Sequence, residues 1–463
     1  MEVGKSTGHG SIPRKLFSCA LTLYFSSVLQ VLNGSVNSMW VGRYLGEEAL
    51  AATSIANTVI VLLVGSAFGI TMAATIHVAH CIGAGQVRDA KRALGTSLTV
   101  FAIISIGAGV AGVALCEPIL TLLKTPAETL PLAASYMRVI LYSLPSLFSF
   151  MSVMSVLRGA GDFKTPLYFS VLMVLIDVAL NPVLIFGVGP IPALGIVGSA
   201  LATAVAQATS LIGLVLYVYK LRHTLCLRGN ELSLLLPEWR IASALIRKGI
   251  PISGYILVLS LNGVLMISLV DHFGVDTVAA FGASIQIWNY IPMLAVAVGT
   301  AASTMAAQSI GAAKWTCVES LVKTGVLFSV CGSLVLVLAI EILDTRAFGL
   351  LLPSHSPALD ISSHINRIVN GSWVVAAVPP VLFGVIRAAG EVMAPLWIAI
   401  FAVLAIQFPL AYSLQSIWGA DAIWWSYPIS ATLNAALAVL YYLRGGWRNI
   451  RAHDTRLVWP PAV

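Results

Sequence analysis

One carboxylate lies in the middle of a long apolar run, where an ionisable side chain is costly. Asp177 stands in the run from Leu172 to Pro182, with no Lys, Arg or His within ten residues on either side. Asn181 follows at i+4, so both side chains share one helix face. In low dielectric such a carboxylate favours a bound proton or a hard cation with oxygen ligands. The pattern indicates an ion-coupling site; the alternative is a protonated Asp that joins two helices by a hydrogen bond.

Other polar residues also fall inside apolar runs. Pro182 cannot donate a backbone hydrogen bond to the carbonyl of Val178, so it is predicted to loosen the helix beside Asp177 and to free that carbonyl as a further ligand. Taken one at a time, the remaining residues are better explained by helix packing than by ligand binding: Gln30, Asn33, Asn37, Thr203, Gln207 and Asn262.

These residues must be positioned by membrane-spanning helices. Hydrophobic residues make up 58% of the 463, charged residues 10%, and the mean hydropathy is +0.92. Soluble domains carry roughly 25% charge, and about 20 apolar residues cross a bilayer as a helix. The apolar runs are continuous rather than alternating, which excludes barrel strands. Twelve spans are predicted: 16–42, 49–78, 95–116, 132–156, 166–187, 196–219, 250–270, 277–307, 322–343, 367–386, 395–416 and 422–443.

The basic residues predict the orientation of these spans. Among the 26 Lys and Arg, Arg43, Lys124, Arg138, Arg346 and Arg367 fall on one side of the predicted spans, and the rest fall on the other. Basic residues accumulate in cytoplasmic segments, so both termini are predicted to be cytoplasmic. The net charge of +7 is therefore a topology signal and indicates no nucleic-acid partner. The six cysteines show no C-x-x-C spacing that would predict metal or redox chemistry.

The chain repeats one motif. R-x-A-G-[D/E]-x-x-x-P occurs at Arg158 to Pro166 and again at Arg387 to Pro395, an offset of 229 residues. Six spans per half is an even number, so both halves enter the membrane in the same orientation, as in parallel transporter repeats. The predicted segments are a cytoplasmic N-terminal tail 1–15, an N-lobe 16–219, a cytoplasmic linker 220–248, a C-lobe 249–443 and a cytoplasmic C-terminal tail 444–463.

The duplicated architecture favours a secondary transporter over other membrane proteins. An ion channel would not need duplicated lobes that rock, and the sequence shows no loop like a selectivity filter. A membrane enzyme would need a nucleophile–base pair or a metal cluster inside the bilayer, and neither occurs at a usable spacing. The protein is therefore predicted not to be an enzyme.

Several motifs resemble the multidrug and toxic compound extrusion (MATE) family, most closely its DinF-like branch. The resemblance extends from about residue 16 to Arg448 and covers both halves. The stretches that carry it are Val36-Asn-Ser-Met-Trp-Val-Gly42, Leu157-Arg-Gly-Ala-Gly-Asp162 with Pro166, Asn181-Pro-Val-Leu-Ile-Phe-Gly187, Ala193-Leu-Gly-Ile-Val-Gly-Ser-Ala-Leu-Ala-Thr203 and Ala306-Ala-Gln-Ser-Ile-Gly-Ala312.

The resemblance implies an all-α integral membrane protein, with twelve transmembrane helices in two pseudo-symmetric six-helix lobes around a central cavity. It implies antiport: organic, often cationic and amphiphilic compounds leave across the inner membrane as H⁺ or Na⁺ flows inward and the lobes rock. The implied coupling site is Asn37, Asp177, Asn181 and Thr203, which would be metal ligands only if the ion is Na⁺. The family usually has Asp at the position of Asn37 and the reverse order of the Asp and Asn pair, so one carboxylate and one ion per cycle are expected.

Further expectations concern the substrate and partners. The substrate cavity is predicted to involve Asn33, Gln207, Asn262, Trp288 and Tyr290. The expected partners are a small organic substrate and membrane lipid; no cofactor is expected apart from the coupling ion, and the protein is expected to be a monomer. The alternative function is a flippase for lipids or lipid-linked precursors of the same wider superfamily. Such a flippase usually has a basic cavity, and no mid-span Lys or Arg occurs in this sequence.

Overall fold

The computed structural model describes residues 12–189, 192–349, 351–352 and 356–451, and within these ranges all regular structure is helical. Most of each predicted terminal tail therefore lies outside the described residues. Twelve helical elements cover the predicted spans: α1 (Ile12–Leu45), α2 (Glu47–Gly83), α3 (Val87–Ala114), α4 (Leu130–Gly159), α5 (Lys164–Phe186), α6 (Gly195–Lys220), α7 (Trp239–Val270), α8 (Val275–Gly311), α9 (Trp315–Ile342), α10 (Pro357–Val369 with Ser372–Ala388), α11 (Met393–Trp418) and α12 (Asp421–Arg444).

The helices have the lengths that a membrane requires, so the predicted all-α membrane fold is confirmed. Ten of them are long and apolar enough to cross a bilayer, and α10 is a bent pair with an angle of 48° between its parts. The two longest, α2 and α8, each have 37 residues, and α8 consists of Val275–Trp288 and Tyr290–Gly311. α12 is 24 residues long and is not among these ten.

The described residues divide into two compact units. One lies within Phe25–Gly249, and the other lies within Met1–Tyr24 and Ile250–Trp459. The division differs from the predicted lobes in α1, since its residues 12–24 belong to the second unit. There Phe17 packs edge-on against Phe328, with ring centroids 5.8 Å apart.

Close helix contacts in the unit 25–249 depend on small residues, as is common in membranes. A Cβ on Gly159 of α4 would come within 2.7 Å of the carbonyl oxygen of Thr75 on α2. A Cβ on Gly198 of α6 would come within 2.4 Å of the carbonyl oxygen of Leu184 on α5. The second contact brings α5 and α6 together close to the candidate site.

The polar segment between α6 and α7 packs along α3 within the same unit. Its 3₁₀ turn, Gly229–Leu235, carries Glu231, whose carboxylate oxygens lie 2.6 and 2.8 Å from Nζ of Lys91. The hydroxyl of Thr99 donates to the carbonyl of Leu235 at 2.6 Å. The hydrogen bond from Lys91 is the main cause of a lowered pKa of Glu231. This segment is therefore held to α3 by specific contacts.

Candidate ion-coupling site

Three helices of the unit 25–249 meet at Asp177. The carboxylate lies near the middle of α5 and is 1% exposed, and Asn181, one turn later, is fully buried. α1 contributes two amides at i and i+4, Asn33 and Asn37, because this spacing places both on one face. α6 contributes Thr203, five residues after the close approach at Gly198. The helix α5 continues through Pro182 to Phe186.

Four side chains donate hydrogen bonds to this carboxylate. Its Oδ2 accepts from Nδ2 of Asn33 at 2.7 Å and from Nδ2 of Asn37 at 2.9 Å. Its Oδ1 accepts from Nδ2 of Asn181 at 3.0 Å and from the hydroxyl of Thr203 at 3.1 Å. No ion pair among the described residues includes Asp177. The hydrogen-bond donors to this carboxylate that the described residues provide are thus neutral side chains.

The amide oxygens of the cluster are a second set of polar atoms. Oδ1 of Asn33 and Oδ1 of Asn181 are buried and have no hydrogen-bond partner among the described residues. Oδ1 of Asn37 accepts from Nδ2 of Asn181 at 3.0 Å. A half-turn of an amide exchanges its NH₂ group and its oxygen. The same side chains can therefore present hydrogen-bond donors to a bare carboxylate or oxygens to a hard cation, which prefers such ligands.

A cavity of about 140 Å³ lies beside the cluster and is lined by α1, α2, α4 and α6. Two of its lining residues, Asn37 and Thr203, also contact Asp177. Gln207, predicted for the substrate cavity, lines it one turn after Thr203 and accepts a hydrogen bond from Ser143 at 3.4 Å. The side chains of Asn37 and Thr203 therefore lie between the buried carboxylate and the cavity.

The structure brings the four predicted coupling residues together, and it adds a fifth. Asn33 was predicted for the substrate cavity, but its amide donates the shortest hydrogen bond to Asp177. Its spacing of four residues from Asn37 is the sequence signal that would have placed it in the cluster. The site therefore has one carboxylate, three amides and one hydroxyl.

The C-terminal residues predicted for the substrate cavity have different environments. Trp288 is 2% exposed in an aromatic core, and its indole N–H donates to Oδ1 of Asn366 at 3.0 Å. Tyr290 is half-buried. Asn262 is half-buried, and its Nδ2 lies 3.4 Å from Oε1 of Gln407.

The helical membrane fold, the duplicated motif and the buried carboxylate place this protein in the class of multi-pass membrane transporters. A family model described as MatE matches residues 23–183 and 251–413. The chain belongs to the MatE family, whose members are transporters of the MATE type.

Individual relatives cover nearly the whole chain. "Probable multidrug resistance protein YoeA" of Bacillus subtilis is 31% identical over 434 residues, which are 93% of this chain and 94% of that protein. "Multidrug export protein MepA" of Staphylococcus aureus is 22% identical and covers 92% of each chain. A crystal structure of MATE in the bent conformation has a TM-score of 0.86 at 19% identity and covers 97% of this chain and 99% of its own. The structural likeness shows the fold.

Proposed function

We propose that this protein is a secondary active antiporter that exports organic, often cationic and amphiphilic compounds across the cell membrane. Inward flow of Na⁺ or H⁺ drives it, and Asp177 is the ion-binding carboxylate. The observation that carries the proposal is the convergence of α1, α5 and α6 on one buried carboxylate beside a cavity. The names of YoeA and MepA, which refer to multidrug resistance and export, support the substrate class.

The oxygen atoms available around Asp177 support Na⁺ as the coupling ion. The carboxylate neutralises one monovalent charge, and the amide oxygens of Asn33 and Asn181, which have no partner among the described residues, are available as neutral ligands. A proton would bind to the carboxylate alone, and both amide oxygens would then remain without a binding partner. Hard cations bind oxygen ligands of this kind. One carboxylate also fits one ion per transport cycle.

Ion exchange at this site would change contacts between helices. Without a cation, the amides of Asn33 and Asn37 on α1 and the hydroxyl of Thr203 on α6 donate to the carboxylate on α5. With a cation, the same side chains would turn their oxygens toward it. Because these contacts join three helices, ion binding would favour one arrangement of the helices over another. We propose rocking of the two halves as the motion that this bias drives.

The proposal also covers the orientation of the protein in the membrane and its partners. The multi-pass transporter resides in the cell membrane with both termini cytoplasmic, in agreement with the distribution of Lys and Arg. It acts as a monomer, in contact with membrane lipid, and needs no cofactor apart from the coupling ion.

The proposal is tested with purified protein in liposomes, with ethidium as the transported cation and with a Na⁺ gradient or a pH gradient imposed separately. We expect uphill ethidium movement in the wild type under the Na⁺ gradient and its loss in Asp177→Asn. Asp276→Asn makes the same change of charge at an exposed position at the start of α8, and it should transport normally. Uphill transport by folded Asp177→Asn would overturn the assignment of Asp177. Transport driven by the pH gradient alone would identify H⁺, and not Na⁺, as the coupling ion.

A further inference from the structure

The helices α5 and α11 begin in the same way at equivalent points of the repeat. Oδ1 of Asp162 accepts from the backbone N–H groups of the first two residues of α5, at 3.1 and 3.0 Å. Oε1 of Glu391, 229 residues later, accepts from the first two residues of α11, at 3.1 and 3.2 Å. The glycine before each acid has a positive φ, 90° at Gly161 and 99° at Gly390. The two helices therefore start in register at an offset of 229.

A π-helical segment in α11 changes this register. Residues Ile400–Gln407 form π turns, which hold one residue more than an α turn. Asp177 lies eleven residues after Pro166, and Gln407 lies twelve residues after Pro395. After the π segment the equivalent offset is thus 230, and Gln407 takes the position that Asp177 has in α5. The hydroxyl of Ser430 donates to the carbonyl of Ala402 inside the segment, at 2.9 Å.

Asp177 and Gln407 each have an amide partner on the first helix of their own half. Asn33 on α1 donates to the carboxylate of Asp177 at 2.7 Å. Asn262 on α7, at an offset of 229 from Asn33, donates to Oε1 of Gln407 at 3.4 Å. The C-terminal half thus has an amide–amide pair where the N-terminal half has an amide–carboxylate pair.

The second pair carries no charge and has fewer polar neighbours than the first. Asn37 and Asn181 lie one turn after Asn33 and Asp177, whereas the residues one turn after Asn262 and Gln407 are Met266 and Ala411, which are fully buried in an apolar core. The pair therefore provides no negative charge and only two amide oxygens, which are fewer ligands than a hard cation takes. It does provide hydrogen-bonding capacity in apolar surroundings, where an unpaired polar group is costly.

Two atoms of the pair have no hydrogen-bond partner among the described residues. They are Oδ1 of Asn262, an acceptor, and Nε2 of Gln407, a donor. Both are buried, and Gln407 as a whole is 4% exposed. An acceptor and a donor on two side chains that contact each other match a group that itself has a donor and an acceptor, such as a carboxamide. π segments occur frequently at functional sites, and this one brings Gln407 to Asn262.

We infer that Asn262 and Gln407 form a neutral binding subsite for a carboxamide group of a transported compound. The carboxamide N–H donates to Oδ1 of Asn262, and its carbonyl accepts from Nε2 of Gln407. This inference deepens the proposed function and rests on it for the transport of organic compounds. It adds a subsite that selects by hydrogen bonding, whereas Asp177 binds the ion.

A matched pair of compounds tests the subsite: tetraphenylphosphonium and its analogue with one para-carboxamide. Equilibrium binding to the purified full-length protein is measured for both. We expect the carboxamide to raise affinity about tenfold in the wild type, as two hydrogen bonds would. Asn262→Leu and Gln407→Met should remove this preference, measured as the ratio of the two affinities within each variant. Ser329→Ala, a buried hydroxyl of α9 that donates within its own unit to Ala377, should keep the preference.

Benzamide provides a probe without a cationic group. Its contact with the protein, measured by saturation-transfer NMR, should be present in the wild type and lost in Asn262→Leu and in Gln407→Met. The inference would be overturned if the wild type bound both phosphonium compounds equally, or if the preference survived both substitutions. It would also be overturned if no carboxamide probe contacted the protein; the pair would then bind water instead. Failure of the proposed function would differ: ion-driven transport would be absent while the carboxamide preference persisted.

Discussion

Asn181 lies one helical turn after Asp177, and its side-chain amide donates to both Oδ1 and the main-chain carbonyl of Asp177, at 3.0 Å each. The same Nδ2 atom also lies 3.0 Å from Oδ1 of Asn37. One amide therefore fixes the carboxylate on its own helix and connects it to α1. Asn181 is therefore as much a part of this polar cluster as Asp177.

Replacement of Asn181 by Leu should weaken cation binding without unfolding the protein. Leu has nearly the same shape, but it removes one donor to the carboxylate and one oxygen available to a cation. Because loss of one partner of a buried charged group costs about 1–3 kcal/mol, we expect the Na⁺ concentration for half-maximal ethidium transport to rise about tenfold or more. Ser170→Ala is the control, since this buried hydroxyl of α5 donates to Pro166 on its own helix. Equal Na⁺ dependence of the two variants would contradict the role of Asn181.

Asn37→Asp restores the acid that the family usually has on the first helix. The new carboxylate would lie about 2.9 Å from Oδ2 of Asp177, as the Asn37 amide does, and two carboxylates this close cannot both be ionised without a cation or proton between them. We expect the number of ions per ethidium, measured from the reversal potential, to rise above one. Asn57→Asp adds the same charge on α2, at the same cavity and without contact to Asp177. Unchanged stoichiometry in Asn37→Asp would show that the extra acid does not join the site.

Gly95→Ala should detach the segment between α6 and α7 from α3. A Cβ at this position would come within 2.0 Å of the carbonyl oxygen of Leu234, so backbone must move. Overpacking of this kind costs about 1–3 kcal/mol, and it should appear as a lower melting temperature and faster hydrogen exchange in residues 229–238. Gly107→Ala on the same helix meets no atom within 4 Å and should leave both quantities nearly unchanged. Identical behaviour of the two variants would mean that the contact is not tight.

The ion pair between Lys91 and Glu231 predicts a dependence of this segment on pH. The hydrogen bond from Lys91 and the backbone N–H of Arg228 lower the pKa of Glu231. A lowered folded-state pKa stabilises the docked segment at pH values above the ordinary value of about 4.3 for Glu, and this stabilisation is lost as the pH falls through the lowered value. Hydrogen exchange of residues 229–238, normalised for the intrinsic rate, should therefore accelerate at acid pH.

Two variants separate this effect from general acid sensitivity. Glu231→Gln should make exchange in the segment faster at neutral pH and remove the acid transition. Glu117→Gln breaks a different ion pair, with Arg138, and should keep the transition of the wild type. A transition that persists in Glu231→Gln would have another cause.

The helices of this protein were predictable because the composition and length of apolar runs decide where a chain crosses a membrane. All twelve predicted spans overlap observed helices, and the family resemblance is confirmed. The carboxylate was predictable for the same reason, since a lone acid in an apolar run stands out. The burial of Trp288 in a core was not predictable, because helical periodicity does not say which side of a helix faces a cavity and which faces a core.

The sequence by itself determined the membrane class, the duplication, the lone buried acid and the pairs of residues one turn apart on the same helix, because these depend on composition and on a helical period of 3.6 residues. The tertiary structure decided which helices meet. Asn33 joins Asp177, and Gln407 joins Asn262, only through the rotation and close approach of separate helices. The π segment of α11 accommodates one extra residue. That residue changes which side chain of α11 faces the neighbouring helix, and this depends on how the two helices pack.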